Sequence, residues 1–324
     1  MMNRRSLLGA GGLALALPAP LARAQDTWPS KPIRIVVGFA AGGATDISTR
    51  VMQPKLTALL GVPVVIDNRP GAGGNLATET VVRAPPDGST FLMGTIGALA
   101  INPSLYASLP FDPQADLTPV AMAGNVLNVL VVPADRPWKS VAELIAAAKA
   151  RPDTITYGSS GVGGAGHLAG ALLDRMAGIS TVHVPYRGGG PMMTDLIGGK
   201  VDYAFSTAPT ALPQVQSGRL RLLAVPTAQR IRAQPEVPAV AETLPGYEVQ
   251  NWYALVGPKG LPPAIVARMN AAMREALADP AVSASLEGQG VEPLPSSPEE
   301  LARFIREETE KWAPIVRATG AKVE

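Results

Sequence analysis

The sequence predicts a two-lobed α/β protein, and three features of its patterning predict it. Apolar, β-branched runs repeatedly lead through a glycine turn into a helical stretch. A Pro/Asp-rich passage, "LPFDPQADLTP" (109–119), separates two such series. The chain then ends in two long helical patterns. Continuous apolar strands alternating with helices call for parallel sheets covered on both faces. Each lobe is therefore expected to be a mainly parallel sheet flanked by helices, with the C-terminal helices packing back on the first lobe.

The elements follow in order. "IRIVV" precedes the turn "GFAAGGATD", after which Ile47, Val51, Leu56 and Leu59 recur at helical spacing. "VPVVID" leads into "NRPGAGGNLATETVV", and "STFLMG" into "TIGALAINPSLY". The second series opens with the strand "VLNVLVV" and the helix "SVAELIAAAKA", where Ser140 and Glu143 have capping-box spacing. It continues through "TITYGSS", "HLAGALLDRM", "TVHV", "YRGGGPMMTDLI", "VDYAFS" and "RLRLLAV". After "PGYEVQNW" one helix is expected from about Pro262 to Leu286. Another starts at Ser297-Pro298-Glu299-Glu300 and places Leu301, Phe304, Ile305 and Trp312 on one face. Pro314 should kink or end it, and Gly320 suits a C-terminal cap.

Residues 1–24 read as an export signal: basic "MMNRR", apolar "SLLGAGGLALAL", then the small-x-small site Ala22-Arg23-Ala24. Arg4-Arg5 followed by Ser6-Leu7-Leu8 resembles a twin-arginine signal, and an ordinary secretory signal fits equally. Removing Arg4, Arg5 and Arg23 with no acid takes the formal charge from +2 to about −1, so the charge balance does not point to nucleic acid. The absence of cysteine among the 324 residues excludes disulfides, thiolate metal sites and a cysteine nucleophile. At 47% hydrophobic the chain can bury a large core, and no later run approaches the ~18 apolar residues of a membrane span.

Five turns carry the functional signal: Gly42-Gly43, Gly71-Ala72-Gly73-Gly74, Gly94-Thr95-Ile96-Gly97, Gly158-Ser159-Ser160-Gly161 and Gly188-Gly189-Gly190. Each joins a strand to a helix, and small molecules in α/β folds bind beyond the carboxyl ends of strands. A helix start offers unpaired N–H groups and partial positive charge, and glycine admits a ligand close to the backbone. Hydroxyls at Thr95, Ser159, Ser160, Ser206 and Thr207 add donors. Together these residues suit a carboxylate or phosphate without a cationic side chain. Asp46 and Asp195 each lie one turn into such a helix, where they either bond the helix's own N–H groups or accept from a ligand. His167 either donates to a ligand or caps and packs, and His183 reads as a structural residue. Arg187 is a candidate countercharge, and Phe39, Trp252 and Tyr253 are candidate pocket walls.

Enzymatic motifs fail. "GVGGAG" (161–166) satisfies G-x-G-x-x-G, yet the next strand, "STVHVPY", lacks the acid that a dinucleotide site needs. There is no phosphate-binding P-loop. Val162 occupies the last glycine position of a G-x-S-x-G elbow, and two separated histidines make neither a triad nor a metal pattern.

The stretches "WPSKPIRIVVGFAAGGATDISTR", "VIDNRPGAGGNLATE", "PPDGSTFLMG", "INPSLY", "YGSSGVGGAGHLAG", "VPYRGGGPMMTDLIGGKVD" and "VPAVAETLPGYEVQNWYALVGPKG" closely resemble the Bug family. These are extracytoplasmic solute-binding components of tripartite tricarboxylate transporters. The resemblance covers nearly all of the chain after the signal. It implies a two-lobed periplasmic binding-protein fold of type II-like, venus-flytrap kind and a non-enzymatic role. Lobe 1 would be 25–125 plus 247–324, and lobe 2 would be 126–246. It further implies a small organic carboxylate as ligand, permease subunits as partners, and neither cofactor nor metal. A monomer in the periplasm is expected, with no nucleic acid bound. Carried onto this chain, the clamp comprises Phe39, Ala41, Gly42, Gly43 and Asp46 from the first loop and Ser159, Ser160, Gly161 and Gly163 from the second. Thr95, His167, Asp195, Ser206 and Thr207 would complete the site. Two departures bear on ligand choice: Ala41 stands where the family usually has proline, and "GGAGH" around His167 differs from commoner spellings. A secreted hydrolase-like enzyme using the same cleft, or a receptor presenting its ligand to a sensor kinase, are the alternatives.

Overall fold

The computed structural model describes residues 28–231 and 235–319. The expected signal (1–24) and the expected cap Gly320 lie outside the described residues. In the first half β1 (Ile33–Val37) leads into α1 (Ala44–Leu60), β2 (Val64–Asn68) into α2 (Asn75–Val82), and β3 (Thr90–Thr95) into a π-helical turn, Gly97–Ile101. That turn runs into α3 (Asn102–Leu105); α4 (Pro113–Asp116) then leads to the long β4 (Leu117–Val126). Leu127 alone separates β4 from β5 (Asn128–Pro133), which belongs to a second sheet. There follow α5 (Val141–Ala150), β6 (Thr156–Ser159), α6 (Ala165–Ala177), β7 (Val182–Pro185), α7 (Gly189–Ile197), β8 (Tyr203–Thr207), α8 (Ala208–Gln216) and β9 (Leu220–Ala224). The chain returns to the first sheet at β10 (Trp252–Pro258) and finishes with α9 (Pro263–Ala278), α10 (Pro280–Glu287), β11 (Val291–Pro293) and α11 (Pro298–Thr319).

The sheet orders are β2-β1-β3-β10-β4-β11 and β7-β6-β8-β5-β9. Their first five positions match, with three parallel strands followed by an antiparallel neighbour and one more antiparallel pair. The two helix-flanked α/β sheets agree with the sequence reading, but the pairing within them is mixed, where mainly parallel sheets were expected. The fourth strand of each sheet, β10 or β5, arrives from the other half of the chain and runs against its neighbours. A strand entering by a crossing carries no preceding helix to mark its direction. The two crossings are tied together: the Val126 N–H donates to the Asn251 carbonyl at 2.9 Å, and Asn251 Nδ2 donates to Asn128 Oδ1 at 3.3 Å.

Alternation within the strands feeds both faces of each sheet. Ile33, Ile35 and Val37 pack under α1, α9 and α10, while Val36 faces the other way. Val129 and Val131 pack against α7 and α8, and Leu130 and Val132 face oppositely. The core containing Val36 and Leu92 continues through Trp252, Tyr247 and Leu168 to Tyr157 and Tyr203, so one apolar cluster touches both sheets. Helices α6 and α11 meet within it.

The C-terminal region differs from expectation twice. The helix foreseen over 262–286 breaks at Asp279, which caps α10 by accepting from the Ala281 and Val282 N–H groups; Pro280 follows as the first residue. α11 instead continues through Pro314 to Thr319. A proline removes one helical hydrogen bond, and buried Trp312 and Val316 hold the helix on either side. The Ser297–Glu300 capping box forms as expected. Glu308, buried on α11, accepts from Trp252 Nε1 at 3.0 Å and Trp312 Nε1 at 3.2 Å, pinning the helix to β10. Glu308→Ala would strand two buried indole donors and should cost about 2–4 kcal/mol in urea unfolding.

Candidate functional site

The glycine turns of both sheets meet at one cleft. Its inner chamber, of about 40 Å³, is bordered by the starts of four helices. α1 contributes Gly43, Ala44 and Thr45; α6 contributes Gly164, Ala165 and Gly166; α7 and α8 contribute Gly189 and Thr207. The N-cap residues Gly43, Gly164, Gly188 and Thr207 make no side-chain cap hydrogen bond. The first N–H groups of such helices need an outside acceptor, and the aligned peptide dipoles favour a negative one; in α8 the Leu127 carbonyl already takes the Ala208 N–H at 2.7 Å. No Asp, Glu, Lys or Arg lines this chamber. Its walls are apolar at Phe39, Ile96, Met192, Phe205 and Tyr253, with burial pushing the Tyr253 phenol up to about 12, so that it stays neutral.

Two further donors are buried here without a hydrogen bond: Thr95 Oγ1 and Asn128 Nδ2. Ser206 Oγ makes only a long bond to the neighbouring Thr207 carbonyl, at 3.5 Å. Phe39 and Ser160 also line an outer chamber of about 400 Å³, together with Gly161, Tyr106, Tyr186 and Arg187. Exposed Arg187 is the one charged side chain in that lining.

Of the sequence candidates, Phe39, Gly43, Thr95, Ser160, Ser206, Thr207 and the wall residue Tyr253 come together in the inner chamber. Gly161 and Arg187 face the outer one, while Trp252 lies in the core on Glu308. Ala41, Gly42, Asp46, Ser159, Gly163, His167 and Asp195 line neither chamber. Asp46 is 2% exposed and accepts from the Gly42 N–H and Arg50 Nε, both at 2.9 Å. Burial alone would raise its carboxyl; the Arg50 and Gly42 hydrogen bonds outweigh this and hold it below the usual range. Arg50 bonds Asn68, and Asn68 bonds the Phe39 carbonyl at 3.0 Å, so the acid braces the loop from behind. Asp195 bonds Tyr186 Oη and Lys200 Nζ, each at 3.0 Å, and steadies a wall of the outer chamber.

The second loop is braced by the two histidines. His167 Nδ1 accepts from the Gly163 N–H at 3.2 Å, and Ser159 Oγ accepts from the Gly161 N–H at 3.2 Å. Those N–H groups are therefore turned inward to the protein, away from any ligand. Ser159 Oγ also lies 3.0 Å from the Gly161 carbonyl and 2.7 Å from His183 Nε2, hydrogen-bonded to both. Ser159 is fully buried, so its hydroxyl is held in the loop and not presented to the cleft. The rings of His167 and His183 stack at 4.2 Å. Burial lowers His167 to about 4 and, with His167 beside it, His183 to about 3. No group of metal-binding side chains occurs among the described residues.

Sequence reasoning missed Asn128, Asn251, Phe205 and Met192 in the chamber lining. Asn128 left one signal, a polar residue inside the apolar run "VLNVLVV".

Two helix-flanked sheets of matching order, crossed twice by the chain and sharing a cleft of helix starts, define a solute-binding receptor of the periplasmic binding-protein class. The chain belongs to the tripartite tricarboxylate transporter family of receptors, whose model matches residues 48–321. It is 37% identical to protein BugT of Bordetella pertussis over the full length of both chains. Among solved structures it is similar to Rpa4515 of Rhodopseudomonas palustris with adipate, at 36% identity and TM-score 0.89, covering 91% of this chain and 100% of that one. It is also similar to MatC of the same organism with bound malate, at 31% identity and TM-score 0.86, covering 89% and 100%. The family and these relatives are receptors and not enzymes.

The histidine pair sets a pH dependence. Both folded values lie below the ordinary 6.5, so the unfolded chain takes up protons first, and stability present above 6.5 is lost as pH falls towards 4. Asp174, pushed up to about 6 by burial, acts in the opposite sense between 3.8 and 6 and offsets one of the two protons. The melting temperature should fall from pH 7 to pH 4.5. His183→Gln should flatten that profile by about one proton, roughly 1.4 kcal/mol per pH unit, read from thermal melts across the range.

Proposed function

We propose that this chain is a periplasmic receptor that closes on a small organic carboxylate and delivers it to the permease of a tripartite tricarboxylate-type transporter. The observation that carries the reading is the uncharged inner chamber bordered by four helix starts without side-chain caps. A carboxylate there would accept from backbone N–H groups of α1 on one side and of α6 and α7 on the other. Thr95, Ser160, Ser206, Thr207 and Asn128 would supply the remaining donors. Relatives carrying adipate and malate support an acid as the ligand class. The outer chamber has room for the rest of the molecule, and Arg187 would meet a second acidic group there.

The lobes would meet at the two crossings, Leu127 and residues 248–251, and open about them. Docking on the permease would favour the open arrangement and release the acid. Export of the chain, with cleavage near Ala24, fits the basic and apolar N-terminal pattern. Among the described residues no helix is long and apolar enough to cross a membrane.

Thermal-shift and calorimetric titration with adipate, malate and a panel of related acids tests the reading. A ligand at 100-fold its Kd should add about 2.7 kcal/mol of stability, without turnover. If no acid stabilises the protein, or if one is converted, the proposal fails. Asn128→Asp, nearly equal in shape, places a negative charge in the neutral chamber. It should weaken carboxylate binding by about 100-fold or more, close to the cost of juxtaposing like charges out of water.

A further inference from the structure

We propose that Gly97 limits how far the cleft can close, and that its missing side chain is what allows tight ligand capture. The inference rests on the reading of the cleft as one that opens and closes. A Cβ at Gly97 would lie 2.9 Å from the Gly163 carbonyl oxygen and 3.5 Å from both the Gly163 carbonyl carbon and Gly164 Cα. All three nearest atoms belong to the β6–α6 loop of the second sheet, across the cleft from β3 and the turn that carries Gly97. Real Cβ atoms do not sit 2.9 Å from a carbonyl oxygen, and here the obstacle is backbone, which cannot swing aside.

Other glycines also cross the cleft. Gly73 faces the Val162 carbonyl, Gly163 faces the Asn102 side chain and Gly188 faces Ala40. Those three have φ of 63°, 84° and 138°, so their local backbone already favours glycine. Gly97 has no positive φ and opens a helical turn, where alanine is the better residue by about 1 kcal/mol. None of the three atoms nearest a Cβ there lies in its own half. The contact with the opposite loop accounts for the glycine. Thr95 and Ile96, which immediately precede it, line the inner chamber, so a wedge at position 97 would hold the β3 side of the chamber away from the α6 start.

The test uses a chain free of native cysteine. Ala41→Cys and Gly190→Cys place thiols on opposite loops, where a Cβ at Gly190 lies 3.9 Å from the Ala41 carbonyl oxygen. A short bis-thiosulfonate crosslinker then reads how often the cleft closes. Adding Gly97→Ala should slow crosslinking about tenfold and weaken adipate or malate binding by a similar factor, since apparent affinity scales with the closing-competent fraction. The melting temperature of the unliganded protein should not fall. Gly61→Ala, strained at φ 72° but facing open space, is the control: it should lower the melting temperature and leave crosslinking unchanged.

Unchanged crosslinking with Gly97→Ala overturns the proposal. So does a lowered unliganded melting temperature or a failure to fold, because either means the methyl group clashes within its own half. A parent pair that never crosslinks also overturns it, since the closed arrangement is then not visited. If neither acid binds the parent, the crosslinking rate alone decides the role of Gly97, and the failure falls on the carboxylate reading.

Discussion

An α-helix cannot satisfy its own first N–H groups, and three helices of this protein, α1, α6 and α7, leave theirs around a single chamber. Everything else about the cleft follows from that constraint. A capping side chain at Gly43 or Gly164 would fill the space and neutralise the donors, and none is present. The matching strand orders bring α1 of one sheet opposite α6 and α7 of the other. Charged groups stay behind the loops, where Asp46 and Arg50 fix the first turn and the His167–His183 stack fixes the second. The chamber thus favours an anion through oriented peptide dipoles while its side chains remain neutral.

Rigidity of these loops matters as much as their polarity. A donor array selects a ligand only if its members cannot relax towards other acceptors. On the first loop the chain of hydrogen bonds from Asp46 through Arg50 and Asn68 reaches the Phe39 carbonyl. On the second, Ser159 and His167 take up the N–H groups of Gly161 and Gly163, leaving the helix start itself to face the chamber. Side chains that resemble catalytic groups in the sequence serve here as scaffolding.

Much of this was legible in the sequence, and the remainder was hidden for identifiable reasons. β-branched runs and glycine turns marked the strands and helix starts because those signals are local. Phe39, Gly43, Thr95, Ser160, Ser206 and Thr207 were found by the same logic. The direction of β5 and β10 was not legible, because it depends on which sheet the chain crosses into. Asn128 and Asn251 lie 123 positions apart and meet only at the crossings. Asp46 and Asp195 occupy positions where a carboxylate can face either way, and only packing decided that both turn from the chamber. Pro314 sits in α11 because the helix is held on both sides of it, which periodicity alone does not report.

The apolar cluster that runs from Val36 through Trp252 and Tyr247 to Tyr157 has a consequence for how such a receptor can be built. Helix α11, made from the C-terminal end, lies on β4 and the 97–101 turn beside the first sheet and also meets α6 of the second, so the same cluster is shared by both halves. Neither half is a self-contained module that could be cut out, exchanged or duplicated alone. New ligand preferences in this architecture must therefore arise by changing residues around the chamber, with both halves inherited together.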